Sequence, residues 1–331
     1  MTAFRASAPL RATIAGAEVA ALAPLLDTGC VSVRLERRAR VLVRTRKDDH
    51  RARIRGLGRT LLVEPALEPA VDEGALALEG WVARTLAPGE ALDVEVEAED
   101  APDLASLEAR AEAFAAALGA LHGAPGPGSA RSSSPDSGAP PPGPRLHSPA
   151  AALAARAGSP LFGVPPLEGA LQVAVSSHEG WRGLECKGAA WAEDLLLFRD
   201  PHAPPEPSAR LALSAWHEGR HHEDLREAAR AARACARVAS RGGATLAALV
   251  EREARALSVL VPASLREGQV DARLRAAGAL AVRRWGARGL ILLVAPRARH
   301  ETIAAAAAGM NLERIATTLA SSGVLVEEVP E

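Results

Sequence analysis

Apolar positions alternate with polar or charged ones along Val31 to Leu35 and around Val41 to Val43, and Leu92 to Val96 repeats the pattern. A period of two places one face on a core and the other toward water, so the first 100 residues are expected to form a half-exposed sheet. From about Leu104 to Leu121 the pattern becomes that of an amphipathic helix, with Asp103 placed to cap its first turn. Between His122 and Pro149 the chain turns to Gly, Pro and Ser, including Ser132-Ser133-Ser134-Pro135 and Pro140-Pro141-Pro142. Such a stretch has too little apolar surface to fold, and a disordered insert over 123–150 is expected.

Beyond a proline-rich turn at Pro201 to Pro207, the pattern predicts a strand over Arg210 to Trp216. Helices are then predicted over Glu223 to Ser240, Thr245 to Ser258 and Val270 to Ala281, a buried strand over Leu290 to Val294, a helix near Thr302 to Ser321 and a last strand over Gly323 to Val329. This mixed order suits an α+β class with a split β-α-β second part.

With 331 residues, 48% of them hydrophobic, the chain is long enough for two domains, divided here as 1–205 and 206–331. A net charge of −1 gives no field to recruit nucleic acid or an anionic membrane. Of 39 basic residues only Lys47 and Lys187 are lysines, so arginine abundance reflects composition and marks no site by itself. Three cysteines at wide spacing, Cys30, Cys186 and Cys235, suggest a reducing, cytoplasmic compartment without a disulfide frame. Glu18 breaks the N-terminal apolar stretch that a signal peptide needs, and no segment reaches the ~20 apolar residues of a membrane span.

Four segments, in order, carry candidate chemistry: Ala8-Pro9-Leu10-Arg11 with Ala15-Gly16, Asp103-Leu104-Ala105-Ser106-Leu107, Gly169 to Gly188, and Gly286-Ala287-Arg288-Gly289 before an apolar strand. Together they resemble the GHMP kinase family of galactokinase, homoserine, mevalonate and phosphomevalonate kinases, most closely its heptose and fucose kinase branch. The resemblance implies a two-domain fold, with an N-terminal β/α domain of the ribosomal protein S5 domain 2-like type and a C-terminal ferredoxin-like domain. It also implies transfer of phosphate from ATP, with Mg²⁺, to the hydroxyl of a sugar or sugar phosphate.

The same resemblance shows what is missing. Arg11, Glu18 and Ala20 fall on its substrate side, and Ala20 stands where a sugar-binding Asp is expected. Both glycines of the phosphate loop are replaced, leaving Ser106 and adding the carboxylate of Asp103 where a triphosphate would sit. Gln172 takes the place of the catalytic Asp, and an amide takes no proton; Glu168, Glu179 and Glu185 lie near it in sequence but at no matching position. The expectation is a pseudokinase acting as a binding or regulatory module with a protein partner. The alternative is a divergent active kinase that requires ATP and Mg²⁺.

Two rival signals remain. His217-Glu218-Gly219-Arg220-His221 fits the spacing of a zinc protease motif, which needs one continuous helix and a third ligand. The basic run from Arg34 to Arg59 offers phosphate contacts but has no interleaved aromatic residue, and the acids from Glu95 to Asp103 are expected to meet it across the fold.

Overall fold

The computed structural model describes residues 3–23, 25–46, 51–56, 59–63, 82, 91–97, 106–122, 171–177, 180–184, 190–202, 209–241, 243–260, 268–285 and 289–330. The insert expected over 123–150 lies outside them. Among the described residues two sheets organise the chain.

The first sheet is built on two long antiparallel strands, β1 (Ala3–Ala15) and β2 (Gly29–Thr45). On β1, Phe4, Ala6, Ala8, Leu10, Ala12 and Ile14 share the apolar face, while Arg5, Ser7, Arg11 and Thr13 share the other. Two register shifts, between Pro9 and Leu10 and between Thr13 and Ala15, bend the pair and let β2 serve two neighbours. The far half of β2 pairs with β5 (Leu92–Val96) and the near half with β6 (Leu171–Ser177), which continues into β7 (Gly180–Leu184). Beyond β5 lie β3 (Ala52–Gly56) and β4 (Arg59–Val63), and β12 (Leu325–Val329) closes the other edge on β1.

Of the acids expected to meet the basic run, Glu95 lies 3.5 Å from Arg44, while Glu97, just beyond β5, pairs at 2.6 Å with Arg5 outside that run; Asp93, which precedes those acids, approaches Arg55 at 2.5 Å.

The second sheet consists of β8 (Leu195–Arg199), β9 (Ala281–Trp285), β10 (Leu290–Val294) and β11 (Glu313–Ile315), in the order β11-β8-β10-β9 and wholly antiparallel. Every residue of β10 is buried, as its unbroken apolar run requires. Sheet membership does not change at residue 206: β8 precedes that point yet belongs to the second sheet, and β12 returns to the first.

Helix α1 (Ser106–Leu121) packs on β1 and β2, close to its expected span. Helix α2 (Ala209–His217) corrects the strand expected over 210–216. Leu211, Leu213 and Ala215 satisfy a period of two, but helical spacing buries Ala212 and Ala215 against Val19 and Leu22 and leaves Leu211 exposed. Helices α3 (His222–Val238), α4 (Gly243–Leu257) and α5 (Gln269–Ala276) follow near the expected spans, each starting one or two residues early, but α5 stops at Ala276 and Ala281, expected as a helix end, opens β9. Helix α6 (His300–Ala308) is far shorter than the span expected to reach Ser321. Gly309 follows it, Asn311 takes a positive φ of 59°, and the chain continues as β11 and an extended return to β12. Arg38 fastens that return, donating to Ser7, Ser322 and Gly323 backbone oxygens at 3.0 Å each.

No helix among the described residues is long and apolar enough to cross a membrane.

Candidate functional site

The polar face of the first sheet becomes buried at one end. Register places Arg11 opposite Arg34 and Thr13 opposite Ser32, and Ser32 in turn opposite Gln172 of β6. Directly opposed residues share a face, so these five side chains form one polar stripe across three strands. Thr13, Ser32, Arg34 and Gln172 are all buried. Sequence reasoning brought Arg11 and Gln172 together only through a resemblance; the register now places them on one face.

Glu112 of α1 completes the stripe. Arg11 Nη2 donates to both of its carboxylate oxygens at 3.0 Å, and Arg34 Nη2 donates to Oε1 at 3.2 Å. Burial lowers the pKa of Arg34, and the charge of Glu112 only partly opposes this because Arg11 and Arg38 add to the lowering. Glu112 was not singled out from the sequence. Its signal was a carboxylate among the alanines that face the fold, between the buried Ala109 and Ala113.

Glu18 lies elsewhere. It follows the turn at Gly16 and is only 4% exposed, and its carboxylate accepts a hydrogen bond from Arg283 Nη2 of β9. Glu253 of α4, 0% exposed, accepts from Arg283 Nη1 at 2.6 Å and from the backbone N–H of Gly16 at 2.8 Å. One guanidinium thus joins the turn after β1 to α4 and to the second sheet. Burial pushes the Glu253 carboxyl above its ordinary value against the pull of Arg283. For Arg283 burial acts downward, but the charges of Glu18 and Glu253 outweigh it and hold the guanidinium above its usual range. Glu18, expected on the substrate side, is therefore committed to an internal ion pair. Ala20 is buried in the turn, with its N–H on the Gly16 carbonyl at 3.0 Å.

Cys235 of α3 is buried beside this triad, and burial followed by the charge of Glu253 pushes its thiol well up. Its modification by a thiol reagent is expected to be slower in the native protein than in urea by on the order of 10²-fold or more. Peptide-resolved mass spectrometry after timed alkylation checks this.

The remaining expected residues divide. Ser106 and Leu107 open α1, whereas Asp103, Leu104 and Ala105 lie outside the described residues. Of the glycine motif, Gly289 is buried with a φ of +69° at the entrance to β10, and Gly286, Ala287 and Arg288 lie outside. Glu168, Glu179 and Glu185 lie outside as well.

The zinc-motif alternative is corrected. Helix α2 ends at His217, the chain reverses at Gly219 with φ +73°, and His221 sits at φ 57° before α3, so the two histidines share no helix face. Glu218 bonds Ser214 and Arg220, and His221 faces Asp224 at 3.6 Å. Among the described residues no group of three or more His, Cys, Asp or Glu side chains is placed to hold a metal.

No family profile and no curated protein matches the sequence. Solved structures do match the fold over nearly the whole chain. A D-glycero-D-manno-heptose 1-phosphate kinase from Bacteroides thetaiotaomicron superposes with a TM-score of 0.62 at 14% identity, covering 99% of this chain and 100% of that one. The mevalonate diphosphate decarboxylase from Enterococcus faecalis gives 0.61 at 13% identity, covering 99% of both chains. Mevalonate-3-kinase from Thermoplasma acidophilum gives 0.60 at 10% identity, covering 100% and 99%. At these identities the likeness concerns the fold, and the fold spans both kinases and a decarboxylase. The chain has an α+β fold like that of these sugar-phosphate kinase, mevalonate kinase and decarboxylase structures.

Proposed function

We propose that this chain is a GHMP-kinase-like protein that does not transfer phosphate and works as a binding or regulatory module. The observation that carries the reading is the internal commitment of the polar groups on its substrate side: Arg11 to Glu112, and Glu18 to Arg283. Gln172 lies buried on the same stripe as Arg11, with an amide where phosphoryl transfer needs a proton acceptor or an orienting carboxylate. These groups do not suit Mg-ATP chemistry. The strand order β11-β8-β10-β9 is fourth, first, third and second in chain order, which supports a ferredoxin-like second domain beside an N-terminal domain of the S5 domain 2-like type. Under this reading residue 206 is not the boundary, because β8 already belongs to the second domain and β12 returns to the first.

Phosphotransfer from labelled ATP to a panel of sugars and sugar phosphates tests the reading, with Asp103→Gly/Ala105→Gly as a companion variant. The natural chain is expected to give no transfer above background. Gain of ATP binding by the variant, without transfer, would place the loss of nucleotide binding in the loop. Transfer by the natural chain would establish the divergent active kinase instead.

A further inference from the structure

Two guanidiniums share one carboxylate at the buried end of the polar stripe. Arg34 has a side-chain exposure of 6% and Arg11 of 13%, against 5% for Glu112. Within this group two positive charges face one negative charge, and Arg38 adds a further positive influence on Arg34. Among the described residues the Nε atoms of both Arg11 and Arg34 are buried without a hydrogen-bond partner. An unmet donor in so enclosed a place is costly, and more so on a charged group. The hydroxyl-bearing Thr13 and Ser32 lie next along the same face.

We propose that Arg11 and Arg34 form a seat for a small oxyanion, which Glu112 fills from within the chain. The Glu112 carboxylate presents two oxygens to the two guanidiniums, with Oε1 taking a bond from each. A phosphate group has one more oxygen to offer and carries more charge, and planar guanidinium forks suit such oxygens well. Glu112 therefore acts as an internal mimic that keeps the seat closed. It stands in the second turn of α1, so a shift of the start of that helix would carry the carboxylate with it. Opening the seat to a phosphate group consequently requires displacement of Glu112. This inference goes beyond the reading of the chain as a non-transferring module and holds whether or not ATP binds.

The test is thermal melting of the full chain, of Glu112→Ala and of Glu112→Gln, in inorganic phosphate and in sodium chloride of equal ionic strength. Both variants are expected to melt below the natural chain in chloride. Phosphate is expected to raise the midpoint of either variant that folds, saturably and by about 2–4 °C, and to leave the natural chain at its chloride value. Adding Arg34→Met to the responding variant should abolish the response. A phosphate effect no larger than that of chloride in the variants would overturn the proposal. So would an equal rise in the natural chain, because the anion would then be acting elsewhere.

Discussion

Replacing Arg283 with methionine is expected to destabilise the fold by about 3–5 kcal/mol at pH 7. The substitution leaves Glu18 and Glu253 buried, with no cation between them. The loss should depend on pH in a definite direction. The Glu253 carboxyl in the native chain already lies above its ordinary value of 4.5, because burial outweighs the pull of Arg283. A carboxyl raised in the folded state favours folding below its unfolded value, and that contribution disappears as pH rises through the folded value. Without Arg283 the folded value climbs further, so the deficit of the variant should be largest at neutral pH and shrink on acidification. Urea unfolding of both proteins at pH 7 and pH 5 measures it. A deficit that stays constant or grows toward pH 5 would contradict the buried triad.

Gly16→Ala is the second large effect, at least about 3 kcal/mol. Gly16 has a φ of +89°, and a Cβ built on it would stand 1.9 Å from the carbonyl oxygen of Gly29. Both causes act together: the left-handed backbone costs a side chain about 1–2 kcal/mol, and the clash must move β2 or the turn. Moving the turn would also break the bond from the Gly16 N–H to Glu253. Gly219 separates the two causes, since its φ is +73° but a Cβ there meets nothing within 4 Å. Gly219→Ala should therefore cost only the backbone share, about 1–2 kcal/mol. Equal losses in the two variants by chemical denaturation would remove the steric part of the argument.

Strands β2 and β5 could be read from the sequence because their signal is local: alternation along them reports directly on a sheet with two unlike faces, whereas β6 and β7 carry no such alternation and were not read as strands. The segment 209–217 misled because nine residues satisfied a period of two as well as helical spacing, and only packing on the turn at Val19 to Leu22 decides between them. The end of α6 was hidden for a similar reason, since the alanines before Gly309 and the apolar residues after it give no local change of period.

The candidate site was legible in part. Arg11, Glu18 and Gln172 drew attention as positions in a motif, and all three are buried or nearly so. Their partners did not, because an internal ion pair is defined by a residue far away in sequence. Glu18 and Arg283 are separated by 265 positions, and Arg11 and Glu112 by 101. Nothing in Glu251-Arg252-Glu253 or Val282-Arg283-Arg284 marks which charge turns inward; α4 and β9 decide it by placing Glu253 and Arg283 in the core. Glu18 shows the consequence, since the acid nearest the expected sugar position serves as a structural anion.

The most direct test of the central claim is isothermal titration of the full chain with Mg-ATP and with a non-hydrolysable analogue. The expected result is no saturable heat up to millimolar nucleotide, from protein shown by its melting curve to be folded. Saturable binding of both nucleotides with a dissociation constant below about 1 mM would contradict a chain whose nucleotide loop is lost, and the phosphotransfer assay would then separate a nucleotide-binding module from an active kinase.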